Sequence, residues 1–118
     1  MHGKLAYLQI PATDVGVSAA FYSEVFGWGI REHSDGRRAF DDTTGQVSGE
    51  WVLDRAPADE PGVLAYVAVD SVEETLEKIA GLGGEVVTPL TPQKEGEAFA
   101  TFRDPAGNVL GIFHEGRV

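Results

Sequence analysis

Carboxylates, histidines and a few hydroxyl groups are the side chains of this sequence that could take part in catalysis or metal binding, because cysteine is absent. That absence rules out disulfide frameworks, thiolate metal sites and cysteine nucleophiles. Glu50 and Glu97 are the candidate general bases, since a carboxylate that loses its water in a cavity becomes a stronger base. The alternative for each is an ordinary solvated carboxylate. No combination of nucleophile, base and orienting group is recognisable.

The other candidate groups are expected to be solvated or structural. His2 lies near the start of the sequence, His33 beside a predicted turn and His114 in the last predicted strand. Each is interpreted as a surface histidine rather than as a metal ligand. Ser71 stands immediately before a helical pattern, where its oxygen accepts hydrogen bonds from backbone N–H groups as an N-cap. It is therefore not expected to act as a nucleophile.

The composition is typical of one globular domain with an acidic surface. The chain has 118 residues, 42% of them hydrophobic and 24% charged, and its formal net charge is -10. A negative surface repels nucleic-acid phosphates and anionic lipids, so neither is expected as a partner. No apolar run approaches the roughly 20 residues that a membrane-spanning helix needs. The first residues lack the apolar stretch of a secretory signal peptide, so we expect a cytoplasmic location.

The first half of the chain is predicted to form one strand, one helix and three further strands. Apolar residues recur at helical spacing after Asp14, and Thr13 or Asp14 supplies the side-chain oxygen of the N-cap. This helix is expected to end at Gly27. Asp35-Gly36 predicts the turn of a β-hairpin. The predicted strands are residues 5–10, which Pro11 terminates, and residues 28–33, 37–40 and 46–53.

The second half repeats this order after a linker at residues 54–62, which carries two prolines and no apolar period. Ser71 with Glu74 three residues later has the form of a capping box. The helix that follows is expected to end around Gly83-Gly84, and Asp104-Pro105-Ala106-Gly107 predicts a turn. The predicted strands are residues 63–69, residues 85–88, which stop at Pro89, and residues 98–103 and 108–114.

Four segments of this repeat carry a family signature: a strand-to-helix entry, a helix exit, the strand that opens the second half, and a turn. They are Leu8-Gln9-Ile10-Pro11-Ala12-Thr13-Asp14, Phe21-Tyr22-Ser23-Glu24-Val25-Phe26-Gly27-Trp28, Tyr66-Val67-Ala68-Val69-Asp70 and Phe102-Arg103-Asp104-Pro105-Ala106-Gly107-Asn108. In these segments the sequence resembles the vicinal oxygen chelate superfamily, which includes glyoxalase I, bleomycin-resistance proteins and extradiol dioxygenases. The single-domain, glyoxalase-like branch is the most similar in form.

The resemblance implies an α+β fold of two βαβββ modules whose mixed sheets curl around a cavity. It places module one at about residues 1–54 and module two at about residues 62–118, in a single domain. Members of the superfamily hold a divalent metal with histidine and glutamate side chains from strands of both modules. In the drug-resistance members the ligand lies between two subunits, so a homodimer is expected here.

The metal ligands that the resemblance implies are largely missing from this sequence. The pattern places them at Tyr7, with Gln9 as its neighbour on the same strand face, at Glu50, and at Leu64 and Gly111 in the second module. Leucine and glycine have no donor atom in the side chain, and a catalytic divalent cation needs about three protein ligands. We therefore predict no metal and no other cofactor.

An aromatic and polar lining remains, which suits a small, partly aromatic or carbonyl-bearing organic molecule. Three functions stay open. The chain is a metal-free protein that sequesters or carries such a molecule, a lyase-, isomerase- or dioxygenase-like enzyme that acts next to a carbonyl with Glu50 as base, or a small regulatory or accessory module. Alternation along the strands predicts which side chains point toward the ligand. They are Tyr7, Gln9, Leu64, Tyr66, Gly111 and Phe113, together with Glu50.

Overall fold

The computed structural model describes residues 2–115, which divide into two compact units, one ending at Pro57 and one beginning at Ala58. Each unit has one helix and one four-stranded sheet, so the predicted α+β class and the order of elements are confirmed. No helix in this range is long and apolar enough to cross a membrane.

The first unit contains β1 (Tyr7–Pro11), α1 (Val15–Phe26), β2 (Gly29–Glu32), β3 (Arg38–Asp41) and β4 (Ser48–Val52). The second contains β5 (Tyr66–Ala68), α2 (Val72–Gly81), β6 (Glu85–Pro92), a short 3-10 helix (Lys94–Gly96), β7 (Ala98–Arg103) and β8 (Val109–His114).

Local signals determine the ends of the first helix. The Oδ1 atom of Asp14 accepts the backbone N–H of Val17 at 3.1 Å, which makes Asp14 the N-cap. At the other end Gly27 adopts a left-handed conformation with φ 76°, which glycine reaches without a Cβ clash. Both helix ends agree with the prediction.

An aromatic cluster holds the first helix against its sheet. Tyr22 stacks on Trp28 with ring centroids 5.0 Å apart, Trp28 stacks on Phe40 at 4.5 Å, and Phe40 packs on Trp51 at 4.9 Å. All four rings are buried. These contacts occupy the helix-facing side of the sheet, so the polar strand residues are left on the other side.

The strand register of the first sheet defines that polar face. The sheet order is β1-β4-β3-β2, with β1 and β4 parallel and the other pairs antiparallel. Residues directly opposite each other on neighbouring strands point to the same side of a sheet. Two rows of side chains follow from this register: Gln9, Glu50, Ala39 and Arg31 in one, and Tyr7, Ser48, Asp41 and Gly29 in the other.

The second unit has the equivalent sheet order β5-β8-β7-β6, with β5 and β8 parallel. Helix α2 begins as predicted, because the hydroxyl of Ser71 accepts the N–H of Glu74 at 3.1 Å. The predicted turn is held by the buried carboxylate of Asp104, whose Oδ1 accepts the N–H groups of the three residues from Ala106 to Asn108 at 2.9–3.0 Å. The buried core of this unit includes Ile79, Ala100, Phe102, Leu110 and Ile112.

Two strand predictions in the second unit need correction. Strand β6 does not stop at Pro89 but continues to Pro92, with register shifts between Val86 and Thr88 and between Thr88 and Thr91. A proline is tolerated there because β6 is an edge strand, where the missing N–H breaks no ladder. Strand β5 is only 3 residues long and leaves Leu64 outside, so the strand period does not determine the direction of that side chain.

Candidate functional site

Four polar side chains of the first unit form a continuous chain of contacts across the open face of its sheet. The amide nitrogen Nε2 of Gln9 donates to Oε2 of Glu50 at 3.0 Å, as their register on β1 and β4 requires. The guanidinium of Arg55 donates to Oε1 of Gln9. On the other side, Nη1 of Arg37 lies 3.7 Å from Oε1 of Glu50. The side chain of Glu50 therefore lies beside Gln9.

Glu50 is the most shielded member of these ion pairs, with a side chain that is 15% exposed, whereas that of Arg37 is 59% exposed. Both carboxylate oxygens face a nitrogen donor, one from an amide and one from a guanidinium. Arg37 is oriented in turn by Asp35, whose Oδ2 accepts from Nε of Arg37 at 2.8 Å. Backbone and side-chain hydrogen bonds from Arg37 lower the pKa of Asp35 below its ordinary value of 3.8.

These groups line a cleft of about 420 Å³ beside the end of β4. Its polar walls include Gln9, Asp35, Arg37 and Glu50, and Leu53 adds an exposed apolar side chain. The cleft thus offers a carboxylate, an amide and a guanidinium within reach of one another, with apolar material alongside. This mixture suits a small molecule that has both hydrogen-bond donors and acceptors.

A second polar group lies in the row of Tyr7. Asp41 takes two hydrogen bonds from Arg31, at 2.9 Å and 3.2 Å, and one from the hydroxyl of Ser48 at 2.6 Å. The Arg31 and Ser48 hydrogen bonds lower the pKa of Asp41 below its ordinary value of 3.8. Tyr7 is directly opposite Ser48 in the register, and its side chain is 53% exposed. Asp41 is therefore hydrogen-bonded to Arg31 and Ser48, and Tyr7 is the side chain of this row that is accessible to a ligand.

The donor set at the positions assigned to metal ligands does not fit a divalent cation. Glu50 is the only carboxylate among them, and both of its oxygens are engaged by Gln9 and Arg37. Leu64 and Gly111 contribute no donor atom. Within residues 2–115, no group of three or more histidine, cysteine, aspartate or glutamate side chains is arranged to hold a metal ion. A cation there would have to displace Arg37 and recruit ligands from elsewhere.

In the second unit, the sheet brings three of the predicted ligand-binding residues to one face. Tyr66 is directly opposite Gly111, and Phe113 lies two residues further along β8. The ring of Tyr66 lies over Gly111, and it meets Phe99 edge to face with centroids 6.3 Å apart. Leu64 lies outside β5 and is 36% exposed.

The remaining candidates are structural or exposed. His2 and His33 are exposed, as expected. His114 is half-buried and its Nδ1 lies 3.2 Å from the carbonyl oxygen of Val69, so the expectation of a solvated histidine is wrong there. Glu97 is half-buried and belongs to the second unit, where it follows the short 3-10 helix. The contacts described for Glu50 are with Gln9 and Arg37, and they include none of these four groups.

A family model described as the Glyoxalase/Bleomycin resistance protein/Dioxygenase superfamily matches residues 4–112. The chain belongs to this superfamily. The predicted resemblance is thereby confirmed. A glyoxylase-like domain-containing protein from Didymella fabae is 30% identical over 95% of this chain and 94% of its own length. The anthracycline biosynthesis protein DnrV of Streptomyces peucetius is 27% identical over 97% of this chain, which spans only 48% of DnrV.

Solved structures of the superfamily have the same fold. A family enzyme from Burkholderia phytofirmans PsJN superposes with a TM-score of 0.78 at 21% identity, over 95% of this chain and 98% of its own. TnmS3, an antibiotic binding protein from Streptomyces sp. CB03234, superposes with a TM-score of 0.70 at 22% identity, over 97% and 98% of the two chains. At these identities the similarity shows the fold alone.

Several residues of this superfamily member's polar face escaped the sequence reasoning. Asp41 and Ala39 follow from the alternation of the β-hairpin once Asp35-Gly36 is taken as its turn, and that signal was present in the sequence. Arg37 directly follows the same turn. Arg55 lies in the irregular linker, where no period indicates the direction of a side chain. Its contact with Gln9 depends on the tertiary path of the linker.

Proposed function

We propose that this protein binds a small organic molecule without a metal ion, through the cleft of the first unit. The observation that carries the proposal is the contact chain Arg55–Gln9–Glu50–Arg37, which replaces a metal-ligand set with an organised group of hydrogen-bonding side chains. The shielded carboxylate of Glu50 accepts hydrogen bonds from hydroxyl or amine groups of a ligand. Arg37 and the amide of Gln9 donate to its carbonyl or phenolic oxygens.

The ligand class follows from these donors and acceptors. A molecule with several oxygen substituents on an apolar frame satisfies Glu50 and Arg37 while it packs on the exposed side chains of Leu53 and Tyr7. The description of TnmS3 as an antibiotic binding protein, and of DnrV as an anthracycline biosynthesis protein, supports this class. In the second unit, the proposed ligand-facing surface remains the one predicted from the sequence: Leu64, Tyr66, Gly111 and Phe113. A single domain of two modules, a homodimer and a cytoplasmic location belong to the same proposal.

A second candidate function is an enzyme that removes a proton next to a carbonyl, with Glu50 as the base. The position of Glu50 favours this function, because its carboxylate lines the cleft where a substrate proton would lie. Its hydrogen bond from Gln9 and the nearby Arg37 oppose it, since a base needs a free lone pair at the substrate proton. The enzyme therefore requires substrate binding to displace one of these partners.

The test is a thermal-shift screen of oxygen-rich aromatic compounds, performed with and without a chelator. A binder raises the Tm by the same amount in both series. Glu50→Gln is expected to weaken that binder by about tenfold or more, because hydrogen bonds to a charged group contribute roughly 1.5–3 kcal/mol. Glu77→Gln is the matched control, since Glu77 is exposed on α2 of the second unit. Binding that needs added zinc or manganese contradicts the proposal, and turnover that is lost in Glu50→Gln supports the enzyme instead.

A further inference from the structure

The ring of Tyr66 occupies space in the second unit that a side chain at position 111 would fill. A Cβ added to Gly111 would lie 2.9 Å from Cζ of Tyr66 and closer still to Cδ2 and Cε2. Atoms essentially never approach so closely, so the ring rests directly on the backbone of β8. Since β8 lies between β5 and β7, a ring that starts on β5 and covers Gly111 reaches toward β7. Gly111 thus forms the base, or floor, of a site the size of one aromatic ring.

A buried hydroxyl without a partner lies at the far side of this floor. Thr101 on β7 is directly opposite Gly111, so its side chain stands on the same face as the Tyr66 ring. Thr101 is only 6% exposed, and its Oγ1 has no hydrogen-bond partner among the residues the structure describes. A buried hydroxyl of this kind costs free energy unless a partner arrives. The phenyl rings of Phe99 and Phe113, which are opposite each other in the register, border the same face.

The Tyr66 ring is weakly held for an aromatic side chain. Its residue is 47% exposed, and its ring contact within the described part of the chain is the edge-to-face contact with Phe99. It extends from an edge strand of 3 residues. Moving this ring into solvent therefore gives up little packing, whereas Gly111 and Thr101 belong to the two inner strands of the sheet, β8 and β7.

We propose that the Tyr66 ring is a displaceable plug, and that a ligand takes its place on Gly111 with a planar ring whose oxygen substituent pairs with the hydroxyl of Thr101. This inference rests on the proposed binding of a small organic molecule and specifies its chemistry: a hydroxylated or carbonyl-bearing aromatic ring. Tyr66 then lowers the affinity of the free protein for its ligand, because the competent state must first release the ring. In the free protein, the phenol ring of Tyr66 occupies the place on Gly111 that the ring of the ligand would take.

Phenol, which reproduces the Tyr66 side chain, is the probe, and toluene is the control of equal size without an oxygen. Each is titrated by NMR against the Gly111 amide and the Thr101 methyl signals. We expect Tyr66→Ala to bind phenol at least threefold more tightly than the native chain. Phenol should then restore in Tyr66→Ala the upfield ring-current shift that the Tyr66 ring gives Gly111 in the native chain. Thr101→Val keeps the shape of the side chain but removes its hydroxyl. It should weaken the binding of phenol by about fivefold and leave the binding of toluene unchanged.

The floor of the site is tested without any ligand. Gly111→Ala is expected to push the Tyr66 ring outward, which removes the upfield ring-current shift from residue 111. Gly29→Ala is the matched control, because nothing lies within 4 Å of a Cβ added to that strand glycine. A ring-current shift at residue 111 that is the same in Gly111→Ala as in the native chain overturns the inference. So does phenol binding that Tyr66→Ala weakens, that Thr101→Val leaves unchanged, or that is absent in both the native chain and Tyr66→Ala. The Glu50→Gln screen reports separately on the proposed function of the first unit.

Discussion

Gly49 is the position where one added methyl group should damage the first unit most clearly. A Cβ at this residue would lie 2.7 Å from Cε2 of Phe40, and closer still to Cζ of the same ring and to the backbone oxygen of Leu8. Phe40 is fully buried and is held between Trp28 and Trp51, so its ring has no free direction. The oxygen of Leu8 belongs to β1, so relief on that side must move β1 away from β4.

The size of the effect follows from two opposing terms. Overpacking of a filled core costs about 1–3 kcal/mol, and the lower unfolded-state entropy of alanine returns roughly 0.4–1 kcal/mol. Gly49→Ala should therefore lower the free energy of unfolding by about 1–2 kcal/mol, which corresponds to a Tm about 4–8 °C lower in a chain of this size. Urea unfolding and calorimetry measure both quantities.

Gly29→Ala is the control for this substitution, since the added methyl group meets nothing within 4 Å and the residue has no positive φ. We expect its free energy of unfolding to stay within about 0.5 kcal/mol of the native value. Gly49→Ala should also shift the side-chain amide signal of Gln9, because the pairing of β1 with β4 places Gln9 beside Glu50. Equal stability of Gly49→Ala and the native chain would refute the packing argument.

Three further predictions concern polar side chains. The pKa of Asp41 is lowered, so its contribution to stability is complete above its ordinary value of 3.8 and is lost as the pH falls through the lower folded value. In Asp41→Asn, the free energy of unfolding should therefore depend less on pH between about pH 5 and about pH 2 than it does in the native chain. Asp104→Ala should lower the free energy of unfolding by roughly 2–4 kcal/mol, because three N–H groups lose their acceptor, and a smaller loss in Asp104→Asn would confirm that cause. Thr101→Val should raise the Tm, since it removes a buried hydroxyl that has no hydrogen-bond partner within residues 2–115; a lower Tm would contradict this reasoning.

Much of the fold was predictable because its signals are local. Asp14 and Gly27 determine the ends of α1 through a side-chain cap and a left-handed glycine, and Ser71 starts α2 in the same way. Proline gave a misleading signal at Pro89, because its effect on a strand depends on whether that strand lies at an edge. Sheet order is a tertiary property that no short segment contains.

The candidate site was predictable only in part. The alternation of β1 placed Tyr7 and Gln9 on one face, and the family pattern pointed to Glu50, but the pairing of Gln9 with Glu50 required the register of β4. The two arginines that extend this pair come from a turn and from the linker. In the second unit, the strand alternation predicts that Tyr66 and Gly111 share a face, but it does not indicate that the ring of Tyr66 lies on Gly111.

The most direct test of metal-free binding is an NMR titration of the native protein with the best binder from the screen, in the presence of a chelator. The side-chain amide signal of Gln9 reports on the contact with Glu50 at the centre of the cleft. We predict that this signal and the Arg37 Nε signal shift in a saturable manner, with the same Kd as the thermal-shift titration. Shifts that spare both side chains, or that need an added divalent metal, would contradict the account.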